Sequence, residues 1–150
     1  MKRVYFQGAF DMFHWMHLES FRLARGFGDH LIVGINSDEL IESYKDKKAV
    51  FPFKYRAEIV SALRYVDEVV KVDDRKSLVM LEQLRPDVYV ICDEWAAEKD
   101  DERAFMASIG GEVVVLPYIE AEFMKGIKEK MRANMDDKLK NLCEKCHQEL

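Results

Sequence analysis

RVYFQGAFDMFHWMHLESFRLA, residues 3–24, contains the change of hydrophobic period that decides the fold. Its first five residues, RVYFQ, form a β-branched and aromatic run that reads as a strand. Gly8-Ala9-Phe10-Asp11 breaks the run, and Leu18, Phe21 and Ala24 then recur at helical spacing. The pattern repeats along the chain: residues 30–35, 69–72, 88–91 and 112–116 also read as strands, most of them separated by roughly ten to twenty helix-like residues. Stretches such as LIVGI, VYVI and EVVVL are almost continuously apolar, as parallel strands buried on both faces require. The chain therefore reads as an α/β domain with helices on both faces of a parallel sheet. Its ligand is expected at the carboxyl rim of the strands.

Composition bounds the function classes. The 150 residues are 49% hydrophobic and 34% charged, enough apolar material for one sizeable core and too much for a disordered chain. Lys plus Arg number 23 against 28 Asp plus Glu, a net charge of −5, which argues against a protein that coats a nucleic-acid backbone. No apolar run approaches the roughly 20 residues of a membrane span, and the start lacks the apolar region and cleavage site of a signal peptide. A cytoplasmic protein is expected. Cys92, Cys143 and Cys146 are too few and too clustered for a disulfide framework. Residues 36–53 show no clear period and carry Lys45, Lys47 and Lys48, so they read as a flap, although a solvated charge run would look the same. From residue 122 the chain reads as one long helix, with Met124, Ile127, Met131, Met135, Leu139 and Leu142 on one stripe. The expected organisation is a domain over 1–121 and a helical extension over 122–150 that packs on the domain or on a partner subunit. Cys143-Glu-Lys-Cys-His147 matches a haem-attachment or half-zinc pattern, but it continues the same stripe and reads as a packing surface.

The chemistry points to the loop after the first strand. His14 and His17, spaced i and i+3 at a helix start, can face one way, and helix N-termini favour anions. Imidazole donors suit the charge that spreads over phosphate oxygens during phosphoryl or nucleotidyl transfer. Gly8 would let a nucleotide approach the backbone closely. An isolated His-x-x-His is more often a core or surface pair; here it follows a strand and opens a helix. Zinc pairs on helices favour i and i+4 with a third ligand, and only His30 and His147 remain, so no metal ligand set is expected.

With GAFDMFHWMH at 8–17, GDHLIVGINSDE at 28–39, the lysine-bearing loop, RYVDEVV at 64–70 and DEW at 93–95, residues 3–117 resemble the HxGH-motif nucleotidyltransferases. Within them the similarity is to glycerol-3-phosphate and phosphoethanolamine cytidylyltransferases. The resemblance implies a Rossmann-like sheet near the order 3-2-1-4-5, a homodimer, and a nucleoside triphosphate carried with Mg2+. It also implies transfer of CMP from CTP to a small phosphorylated alcohol, with release of pyrophosphate. By position, His14 and His17 would stabilise the α-phosphate and Lys45 and Lys47 would neutralise phosphate charge. Gly8, Ala9, Phe10, Asp11, Arg64, Asp93 and Trp95 would hold the nucleotide, with Asp11 beside the histidines or the metal. Lys48 and Arg56 would meet the substrate phosphate, Arg56 and Arg64 would also serve active-site structure, and residues 65–70 would support a subunit contact.

Two departures stand in the sequence. Met16 replaces the glycine of HxGH and would crowd the ligand if it faced the site. The RTxGISTT-type motif expected after the fifth strand is replaced by YIEAEFMK at 118–125, where Lys125 is the one cation that could hold the nucleotide in its place and Glu120 and Glu122 would repel phosphate or cap the last helix. Two other readings therefore stay open: a catalytically silent nucleotide-binding or assembly protein of the same fold, and an adenylyltransferase.

Overall fold

The buried β-branched runs become five parallel strands in the order β3-β2-β1-β4-β5. These are β1 (Arg3–Gly8), β2 (His30–Asn36), β3 (Glu68–Val72), β4 (Val88–Cys92) and β5 (Glu112–Leu116). The helices are α1 (Trp15–Arg25), α2 (Asp38–Lys45), α3 (Phe53–Ser61), α4 (Ser77–Leu84) and α5 (Asp100–Ser108), with a 3-10 helix at Asp93–Glu98. The computed structural model describes residues 1–117 except 46, together with 126, 127, 129, 130, 133 and 134. Each expected strand is present within one residue of its expected limits.

Strand residues alternate between two cores. Val4, Phe6, Leu31, Val33, Val88 and Val90 face Phe21 and Ala24 of α1 and Val60 of α3. Tyr5, Ile32, Tyr89 and Ile91 face Leu81 of α4 and Met106 of α5. Helices thus cover both faces, as expected of a parallel sheet. Gly34 in β2 is required by packing, because a Cβ there would collide with the Tyr5 hydroxyl and press on Val72.

Residues 36–53 differ from the expected flap. Ser37 Oγ accepts the Leu40 N–H at 3.2 Å, Asp38 and Glu39 sit in the favourable first turn, and Leu40 and Ile41 are buried, so this segment opens with α2. Only residues 47–52 are irregular. The residues after the fourth strand likewise form a 3-10 helix in place of an open loop.

Residues 1–118 form one compact unit and 119–150 another. In the second, residues 126, 127, 129, 130, 133 and 134 are helical. The rest of the expected long helix, Lys125, Glu120, Glu122 and the Cys143–His147 tail, lies outside the described residues. Among the described residues no helix is long and apolar enough to cross a membrane.

Candidate active site

A cavity of about 1040 Å³ opens at the carboxyl ends of the strands, and its wall includes Gly8, Ala9, Phe10, Asp11, His17, Lys45 and Trp95. Seven of the expected site residues thus meet at the rim where an open parallel sheet binds ligands. His14 joins them through His17: the two imidazoles stack with centroids 3.9 Å apart.

The stacking follows from how α1 begins. His14 is the N-cap residue, and its Nδ1 accepts the Met16 N–H at 3.2 Å. In return His17 Nδ1 accepts the His14 N–H at 3.3 Å. The pair is a capping box built from imidazoles, which satisfies helix-start donors that would otherwise lack partners. It also assigns the tautomers. With both Nδ1 atoms accepting, the neutral rings carry their protons on Nε2. Burial, the His14 ring and the Lys45 charge hold the His17 pKa down to about 4, against a smaller opposing pull from Asp11. At neutral pH His17 is therefore an uncharged Nε2–H donor.

The preceding loop is set by Phe10, which adopts a left-handed φ of 48°. Its ring packs edge-on to Phe6, Phe21 and His17 and lies over Gly8, where a Cβ would be 2.8 Å from the ring. The bareness of Gly8 therefore admits Phe10. The Asp11 carboxylate accepts the N–H groups of Val50 at 2.7 Å and Phe51 at 2.9 Å, so it clamps residues 50–51 onto the β1–α1 loop. The same carboxylate also acts electrostatically on His17, in keeping with its expected place beside the histidines. Met16 is buried and is not part of the cavity wall.

Other expected residues are placed differently. Arg56, on α3, has a fully enclosed side chain. Its Nη1 donates to Ala9 O at 2.6 Å and Asn36 O at 2.8 Å, Nε to Phe51 O at 2.9 Å, and Nη2 to Asp38 at 2.7 Å. It ties together the segments that frame the cavity, which is the structural part of its expected role. Arg64 precedes β3, is exposed beside the Tyr65 ring, and is not part of the cavity wall. Lys47, Lys48 and Asp93 are exposed and are not part of the wall. Tyr65, Val66 and Val69 pack against the α1–α3 core.

Sequence reasoning missed Asn36, Tyr44, Arg75, Ser77, Lys99 and Glu102, all in the wall. Lys99 Nζ donates to Glu102 at 2.9 Å and Ser77 Oγ at 3.2 Å, and Tyr89, beneath them, has its pKa raised to about 12 by burial. In sequence, EKDDE at 98–102 is indistinguishable from a solvated charge run. Arg75 carried a usable signal, since it follows a strand at its carboxyl end.

A family model described as cytidylyltransferase-like matches residues 5–128. Glycerol-3-phosphate cytidylyltransferase of Bacillus subtilis is 35% identical over 133 residues, which cover 87% of this chain and 98% of that protein. FAD synthase of Pyrococcus horikoshii is 35% identical over 120 residues, covering 78% and 81%. The chain also matches bifunctional HldE proteins, of whose length it spans about a quarter. The crystal structure of a lipopolysaccharide core biosynthesis protein from Thermoplasma volcanium shares the fold, with a TM-score of 0.67 at 20% identity over 78% of this chain and 95% of that one. With the imidazole-capped α1 at the carboxyl rim and a family match across most of its length, the chain belongs to the cytidylyltransferase-like family, within the HxGH nucleotidyltransferase superfamily.

Proposed function

We propose that the protein transfers CMP from CTP to a small phosphorylated alcohol, releasing pyrophosphate. The observation that carries this reading is the reciprocal cap, which gives two stacked imidazoles Nε2–H donors at a helix N-terminus beside the cavity. An acceptor phosphate oxygen attacks the α-phosphorus in line, one P–O bond forms, and the bond to the departing pyrophosphate breaks. His14 and His17 donate to the α-phosphate oxygens as charge builds there, and Lys45 balances the phosphates as a mobile point charge. Lys47 and Lys48 add charge from the neighbouring connection. Gly8 to Asp11 and Trp95 hold the nucleoside end, with Asp93 beside them. No proton need move at the histidines, so catalysis is positional and electrostatic.

Magnesium enters with the triphosphate. Among the described residues no three His, Cys, Asp or Glu side chains converge, and the Asp11 carboxylate already accepts loop N–H groups. An ion carried by the triphosphate's own oxygens would neutralise charge on the leaving pyrophosphate. We also propose a cytoplasmic homodimer. Exposed Trp15, Phe51, Tyr55 and Ile59 support the subunit contact, Tyr55 and Ile59 lying one turn apart on α3.

The test is pyrophosphate release from each of the four nucleoside triphosphates with magnesium and a pool of phosphorylated alcohols. CTP is expected to support release, and His17→Ala to lose about 100-fold or more of it. Retention of more than about a tenth of turnover in that variant sinks the assigned role. A second reading is an adenylyltransferase, favoured by the FAD synthase relative, since FAD contains an AMP unit; preference for ATP in competition establishes it. Nucleotide binding without release establishes instead a silent binding protein.

A further inference from the structure

Tyr44 lines the cavity near the end of α2 and carries two cations on its ring. Lys45 Nζ lies 5.8 Å from the ring centroid and the Arg75 guanidinium carbon 5.7 Å from it. Arg75 comes from the loop between β3 and α4, so charges from two separate elements meet on one aromatic side chain. The ring is fixed from behind. Asn36 Nδ2 donates to the Tyr44 hydroxyl at 3.0 Å, Gln7 Nε2 to Asn36 Oδ1 at 3.3 Å, and the Tyr5 hydroxyl to Gln7 Oε1 at 2.8 Å. This hydrogen-bonded line runs from fully buried Tyr5 along the carboxyl ends of β1 and β2 to the cavity wall.

Among the described residues, neither Lys45 nor Arg75 has a carboxylate within ion-pair distance. Two like charges on one ring repel, and the negative face of the ring offsets that only in part. An anion reached by both would offset that repulsion, and the planar fork of the arginine suits it. The cavity wall that holds them also holds His17, the residue assigned to the α-phosphate.

We propose that Lys45 and Arg75 form a phosphate clamp at the cavity wall, with Tyr44 as the residue that positions both cations. The proposal rests on the nucleotidyl-transfer reading and deepens it, because residues 117–125 contain no arginine and Arg75 supplies one from another loop. The phosphate has two possible sources, the nucleoside triphosphate and the acceptor.

The experiment is calorimetric titration of the full chain with CTP, inorganic tripolyphosphate and glycerol 3-phosphate, each alone. It compares wild type, Arg75→Gln, Arg75→Lys and Tyr44→Leu, with KM and kcat measured beside it. Arg75→Gln is expected to weaken one class of probe about tenfold and to raise the KM of the matching substrate, with kcat changed less than about threefold. Arg75→Lys should recover part of the loss, and Tyr44→Leu should weaken the same probe by a smaller factor. Losses with CTP and tripolyphosphate assign the clamp to the triphosphate, and losses with glycerol 3-phosphate assign it to the acceptor. Arg75 is exposed, so an unchanged melting temperature separates lost binding from lost folding. Wild type that binds while Arg75→Gln binds every probe within twofold of it overturns the clamp and leaves the functional reading standing. Wild type that neither turns over nor binds any probe overturns both.

Discussion

Arg56 shows that a residue type alone does not separate binding from scaffolding. An arginine beside a candidate phosphate site invites a substrate contact, yet its guanidinium is enclosed and its donors are spent on the carbonyls of Ala9, Asn36 and Phe51 and on Asp38. Periodicity cannot reveal this, because the partners are backbone oxygens brought together only by the fold. Arg56→Met should cost about 3–5 kcal/mol in urea unfolding, since it leaves the Ala9, Asn36 and Phe51 carbonyls without their donor. Loss of less than about 1 kcal/mol would mean that water replaces the guanidinium. His17 makes a different prediction, in pH. Its pKa falls from an ordinary 6.5 to about 4 in the fold, so the unfolded chain takes up a proton first as the pH drops. The stability this contributes is complete above pH 6.5 and is lost progressively between about 6.5 and 4, by at most about 3 kcal/mol. His17→Gln should flatten the stability slope in that window, and an unaltered slope would show that the imidazole is not held neutral.

At the scale of the elements, what was legible depended on how much of the signal was local. The five strands announce themselves through apolar runs such as LIVGI and EVVVL because both sheet faces are covered. The eight-residue α2 does not, because only Leu40 and Ile41 are buried on it and the surrounding charges obscure the period. His14 and His17 were found as a pair, but their reciprocal cap was not, since a capping box is ordinarily recognised by Ser or Thr with Glu or Gln. The cap yields a separation of roles. His14→Ala should destabilise the protein by about 1 kcal/mol and abolish turnover, whereas His14→Asn should restore most of the stability, because Asn caps well, and none of the activity. Thermal unfolding and pyrophosphate release read the two effects independently. Activity regained with Asn would reduce His14 to a structural cap.

Over the whole molecule, the sheet couples its interior to its rim through one side chain. Tyr5 stacks on Tyr89 in the α4–α5 core, fills the space left by Gly34, and starts the line of hydrogen bonds that ends at Tyr44. Burial pushes its phenol pKa well up, so the hydroxyl stays protonated and can donate. This link was invisible in the sequence, where Tyr5, Gln7, Gly34, Asn36 and Tyr44 have no common pattern until β1 and β2 pair with Gln7 opposite Gly34. Gly34→Ala should therefore act at both ends. In the core, a Cβ against Tyr5 and Val72 should cost about 1–3 kcal/mol. At the rim, the displaced hydroxyl should loosen Gln7 and Asn36 and weaken binding of whichever phosphate probe depends on Arg75. Tyr5→Phe removes the colliding oxygen, so the Gly34→Ala, Tyr5→Phe double variant should be more stable than the sum of the two single changes allows. A double-mutant cycle in urea measures that coupling. Additivity within about 0.5 kcal/mol would show that the methyl is accommodated by Val72 instead, and that the cavity wall is independent of the core behind it.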